Sequence, residues 1–136
     1  MMRSGFLLVA AVAAVLTVSA PAAAQFGHPL KGQWSGQWGE AAAPNRLLLD
    51  LHWDGKEITG RINPGADEAT VRKATFDYSD PTKWKVQMEA EGKDASGKPV
   101  QIRVDGILEN IGAYNRLFHG TWTQNGRSAP FTLTRN

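Results

Sequence analysis

The sequence has no cysteine. That absence excludes disulfides, thiolate metal sites, cysteine nucleophiles and thiol redox chemistry together, and leaves the core to supply the stability. Histidine is scarce, with only His28, His52 and His119 present. Neither H-x-H nor HExxH occurs, so the chain offers no ready zinc spacing and implies no metal site. No G-x-S-x-G, phosphate loop or dinucleotide fingerprint is present, and no cofactor is expected. Concentrated charge of one sign is missing too. Fifteen Lys+Arg face thirteen Asp+Glu, interspersed along the chain. A nucleic-acid binder needs a basic face, so nucleic acid is not an expected partner. Beyond residue 25 no apolar stripe recurs at helical spacing.

One long hydrophobic run exists, and it lies at the N-terminus. Met1 to Ser4 form a short basic head, and Gly5 to Ala20 are almost wholly apolar. Pro21-Ala22-Ala23-Ala24-Gln25 follows, with Ala22 and Ala24 in the A-x-A pattern that a signal peptidase accepts. A membrane anchor would need about 20 apolar residues, and this run is shorter, alanine-rich and ends in a cleavage pattern. Residues 1–24 therefore read as a cleavable signal peptide. No cysteine follows for lipid attachment and no twin arginine precedes, which favours general export to the periplasm or the medium. After cleavage no membrane association is expected. Residues 25–31 form an N-terminal extension expected to be disordered, and 32–136 form a single domain.

That domain alternates with period two, the signature of strands. Eight are expected, over 33–39, 46–53, 57–63, 70–78, 83–91, 100–109, 115–124 and 129–135. Trp84, Val86, Met88 and Ala90 alternate with Lys85, Gln87, Glu89 and Glu91. Leu47, Leu49, Leu51 and Trp53 share one face of the second strand, and Ala74, Phe76 and Tyr78 run in step on the fourth. Asp54-Gly55, Asn63-Pro64-Gly65, Ser96-Gly97 and Asn125-Gly126 mark the turns. The expected class is all-β, an eight-stranded antiparallel up-and-down barrel, with a two-sheet sandwich as the alternative. Closure is favoured because it removes exposed edges. Gly32-Gln33-Trp34-Ser35 and Gly120-Thr121-Trp122-Thr123 echo each other, as two similar strands crossing one crowded core.

Gly32-Gln33-Trp34 at the first strand and Arg135, in Phe131-Thr132-Leu133-Thr134-Arg135, resemble the calycin-type barrels, the lipocalins and avidins. The resemblance implies a G-x-W tryptophan at the barrel floor with a basic residue of the last strand stacked on it. It implies a ligand mouth at the opposite end, bounded by loops 40–45, 63–70, 92–98 and 124–128. Trp38, Leu47, Asn63, Arg72, Trp122 and Phe131 sit near that end and are the candidate ligand-binding residues, whereas Trp53, Trp84 and Tyr78 lie towards the other end and are expected to plug it. The first functional reading is a non-catalytic barrel holding a small apolar or aromatic molecule there, since five tryptophans are the most unusual feature. The same rings could instead only fill the interior. That gives the third reading, a solid-core structural or inhibitory protein. The second, ahead of it, is a cofactor-free hydratase, isomerase or lyase using His52 with Asp50, or His119 with a nearby carboxylate. The alternation of strand two places His52 and Asp50 on its solvent face.

Overall fold

The computed structural model describes residues 27–136, and the signal-peptide reading of residues 1–24 lies outside the described residues. Eight strands follow one another: β1 (Gly32–Trp38), β2 (Asn45–Trp53), β3 (Ile58–Ile62), β4 (Ala69–Asp80), β5 (Lys83–Lys93), β6 (Pro99–Glu109), β7 (Leu117–Gln124) and β8 (Arg127–Arg135). Every sequential pair is antiparallel, and β1 pairs with β8 as well as with β2, so the sheet closes into a barrel rather than splitting into a sandwich. Closure follows from the edge problem. An open meander would leave the unpaired amides of β1 and β8 to water or to other chains.

Period-two patterning becomes an inside and an outside. On β5, Val86, Met88 and Ala90 are buried while Lys85, Gln87, Glu89 and Glu91 are exposed. On β2, Leu47, Leu49 and Leu51 are buried and His52 is exposed. Each fully buried leucine or valine of this kind contributes about 1.5–3 kcal/mol over its exposed state.

Glycine clears the interior at the tightest crossings. Gly36 lies opposite Leu47 on one side and Leu133 on the other. A Cβ there would run into the Thr132 carbonyl oxygen. At the hairpin tips, Asn125 and Gly126 both take positive φ, 50° and 81°, the handedness a two-residue turn needs to match strand twist.

Two local differences from the sequence expectation have identifiable causes. β4 carries a register shift between Val71 and Lys73. This β-bulge places Arg72 and Lys73 consecutively outside and returns Ala74 and Phe76 inward. β7 begins at Leu117 rather than residue 115. The reason is that the Arg116 side chain turns back to donate from Nε to the Ile111 carbonyl at 3.0 Å, holding 110–116 as a loop.

Residues 28–30 of the extension before β1 pack against the barrel, a correction to the expected disorder at His28. Residues 28–30 are buried across the lower end of the barrel, the end at which β1 begins and β8 stops. Leu30 is fully buried and its carbonyl accepts the Trp34 indole N–H at 2.9 Å. Apolar burial of Leu30 and Pro29, with that hydrogen bond, outweighs the entropy of fixing these few residues.

Candidate functional site

The barrel lumen is filled by aromatic rings in sequence. Trp34 meets Phe118 at 6.2 Å, Phe118 meets Phe131 at 5.0 Å, Phe131 meets Trp122 at 5.8 Å, and Trp122 stacks on Trp38 at 6.2 Å and 26°. This spine runs from the lower end to the upper. The two echoed G-x-W tryptophans lie in its two halves, with Trp34 at the floor.

Of the candidate ligand residues at the upper end, four come together inside. Trp122, Leu47, Phe131 and Trp38 are all buried, Trp38 retaining 7% exposure. They meet as packed core. Trp122 donates its indole N–H to Gln124 Oε1 at 3.2 Å, and the Arg127 guanidinium lies 6.0 Å from the centre of the Trp38 ring. Asn63 is a hairpin residue with φ 49°. Its Oδ1 accepts from the Leu48 amide at 2.9 Å while its own amide donates to the Leu48 carbonyl at 2.7 Å. Arg72 is turned outward by the bulge and pairs with Glu91 at 3.0 Å. It borders a groove of about 640 Å³ on the outer wall, where Glu89, Glu91 and Arg103 mix both signs of charge.

The candidate catalytic histidines are separated. His52 lies 3.5 Å from Asp50 on the outer face of β2, with its side chain 63% exposed. His119, on β7, places Nε2 3.0 Å from Glu109 Oε2, and Lys83 Nζ lies 3.3 Å from the other carboxylate oxygen. The hydrogen bond from His119, then that from Lys83, holds the Glu109 carboxyl below its usual range. Among the described residues no three histidine, aspartate or glutamate side chains gather as a metal site.

The lower end carries what sequence reasoning missed. His28, 8% exposed, is surrounded by Trp53 at 4.6 Å, Phe76 at 4.7 Å and Trp84 at 5.7 Å. Tyr78 stands edge-on to Trp84 at 4.5 Å and stays 54% exposed. The Leu30 amide donates to His28 Nδ1 at 3.1 Å, which puts the neutral ring's proton on Nε2. Among the described residues that buried Nε2 has no hydrogen-bond partner. Burial lowers the His28 pKa from 6.5 to about 4.

Beside His28 opens a cavity of about 270 Å³, lined also by Lys31, Trp84, Ile111, Arg116 and Arg135. Arg116 donates from Nε to the Ile111 carbonyl and from Nη1 to the Pro29 carbonyl, each at 3.0 Å. Arg135 donates from Nε to the Lys31 carbonyl at 3.0 Å. Trp34 and Arg135 are register partners on β1 and β8. The Arg135 guanidinium nevertheless packs across Gly32, and Leu30 is what caps the Trp34 indole. No local signal marks this site, because Pro29 and Arg116 are 87 positions apart and only barrel closure joins them.

A depressed histidine pKa has a definite consequence. Above pH 6.5 the ring is neutral folded or unfolded and contributes no pH dependence. As pH falls from 6.5 towards 4, the unfolded chain takes up a proton that the folded one refuses, so stability declines. The slope should approach about 1.4 kcal/mol per pH unit near pH 5. The exposed carboxylates Asp54, Asp77, Asp80 and Asp94 have lowered values and act only at lower pH. Urea melts of the parent and His28→Leu between pH 7 and 5 should show the decline in the parent and a flatter profile in the variant. Equal profiles would place His28 outside the core.

Comparison with protein-family models, with curated proteins and with solved structures finds no match.

Proposed function

We propose that the chain is an exported, non-catalytic barrel that binds a small apolar or aromatic molecule at the lower end of the barrel. The observation that carries the reading is the aromatic group there: Trp53, Phe76 and Trp84 half-buried and Tyr78 exposed, beside a cavity of about 270 Å³. Exposed clustered rings leave apolar surface that a flat molecule would cover. At the upper end a ligand would first have to displace the stacked Trp38–Trp122 pair. The resemblance to calycin-type barrels, with Trp34 at the floor of a closed eight-stranded barrel, is consistent with a binding role, although the fold alone assigns none.

The test is native mass spectrometry of protein purified from its own organism, followed by indole fluorescence during ligand titration. The expected result is a retained small molecule and a mature N-terminus at Gln25. Cleavage there would leave Gln25 and Phe26 ahead of the segment that crosses the floor. A mass that includes residues 1–24 would overturn the export reading. Protein that carries nothing, and whose tryptophan emission no aromatic probe perturbs, would overturn the binding reading.

The enzyme reading retains one specific observation, the His119–Glu109–Lys83 contact beside a groove that Lys83 and Glu109 help to line. His119 is a third exposed and on the outer wall, where water competes with any proton transfer it could make.

A further inference from the structure

The geometry points to a carboxylate-recognition site in the lower cavity: Arg116, Arg135 and Lys31 would hold the anionic group of a small molecule whose apolar body rests against Trp84 and Ile111. The inference deepens the binding reading above and rests on it for the apolar half of the ligand.

The first argument is uncompensated charge. Three cations line one cavity of about 270 Å³. Among the described residues none of the three has a carboxylate within ion-pair distance; other surface cations also lack one, and what sets these three apart is that they converge on a single cavity. The carboxylate of Glu109 belongs to the adjoining groove, which shares Ile111 with this cavity, and is already engaged by Lys83 and His119. Two neighbouring guanidiniums without an anion repel each other. Burial and the charge of Arg135 both lower the Arg116 pKa.

The second argument is fixed geometry. Both guanidiniums are anchored through Nε to backbone carbonyls, and Arg116 also through Nη1. Their unused N–H groups are held in place before any ligand arrives, so less side-chain entropy is lost on binding. A guanidinium fork suits a planar carboxylate in two parallel hydrogen bonds. The aromatic Trp84 and the aliphatic Ile111 supply the apolar wall, and a cavity of this size suits a single-ring molecule rather than a long lipid tail.

The experiment follows the Arg116 and Arg135 Nε–H and Trp84 indole N–H resonances by NMR while benzoate, benzamide or acetate is added to the protein. Benzoate and benzamide share shape and differ in charge. The expected result is that benzoate shifts all three resonances and binds at least tenfold more tightly than benzamide. Acetate should shift only the arginines, and more weakly. Lys31→Gln should weaken benzoate severalfold and leave benzamide unchanged. Arg116→Gln should weaken benzoate more, but it also removes two backbone anchors, so Lys31→Gln is the variant that keeps the fold. Equal affinity of benzoate and benzamide at these resonances would overturn carboxylate recognition and leave the binding reading standing. Benzoate shifts confined to other residues would overturn the site. No shift with either aromatic probe would overturn both.

Discussion

Trp34→Ala is expected to lower stability by about 3–5 kcal/mol, the range for deleting a large buried aromatic side chain. Trp34 is fully buried, packs against Phe118 at 6.2 Å, and donates its indole N–H to the Leu30 carbonyl at 2.9 Å. Truncation empties the floor of the lumen and strips one of the hydrogen bonds that tie down residues 28–30. The surroundings cannot collapse into the gap, because the strands around it are held by a closed ladder of hydrogen bonds. A small domain is stable by only about 5–15 kcal/mol, so this single change could unfold the protein at ambient temperature. Trp34→Phe separates the two contributions. It keeps an aromatic ring and loses the N–H, and the lost hydrogen bond alone should cost about 1 kcal/mol. Arg135→Ala forfeits the hydrogen bond to Lys31 and should also cost about 1 kcal/mol. Urea melts of the three variants should show Trp34→Ala losing most stability, with Trp34→Phe and Arg135→Ala well short of it. A Trp34→Ala protein as stable as the parent would mean that the ring does not close the floor.

How far the sequence reached depends on the range of the interaction. Trp84, Val86, Met88 and Ala90 alternate so cleanly that their inward placement follows from pleating alone. The same logic puts Leu47, Leu49 and Leu51 on one face of β2, and that face is buried. Inward is not the same as open, however. Whether Trp38 and Trp122 border a mouth or fill it depends on summed side-chain volume across several strands, and no single strand records that sum. Arg72 shows a different limit of pattern reading. It keeps step with Ala74 and Phe76 in sequence, and one bulge residue reverses the parity between them. His28 had no readable pattern, since five residues before a strand carry no period. Its burial exists only because Trp53, Phe76 and Trp84, from three different strands, form a recess for it. The cation group at the floor is of the same kind. Lys31, Arg116 and Arg135 are scattered in sequence and meet only when β1 and β8 close.

That closure is also a point of high mutational sensitivity outside the aromatic spine. Gly36→Ala is expected to cost about 3 kcal/mol or more, although it adds only one methyl group. A Cβ at Gly36 would fall inside contact distance of the Thr132 carbonyl and 3.0 Å from Leu133 Cα. Both obstacles are backbone, so no side chain can rotate away, and relief requires β1 and β8 to move apart. The cost should therefore meet or exceed the 1–3 kcal/mol usual for overpacking a core. Alanine also reduces the freedom of the unfolded chain, but that gain is only about 0.4–1 kcal/mol. Gly112 supplies the control. A Cβ there meets nothing within 4 Å and its φ is not in the positive range, so Gly112→Ala should be neutral or slightly stabilising. Hydrogen exchange would locate the damage. In Gly36→Ala the amides of the β1–β8 seam, from Trp34↔Arg135 to Trp38↔Phe131, should lose protection before those of the long β5–β6 pairing. Equal stability of the Gly36 and Gly112 variants would show that the seam is not as tightly coiled as the Thr132 contact requires, and the closed barrel would lose its most restrictive crossing.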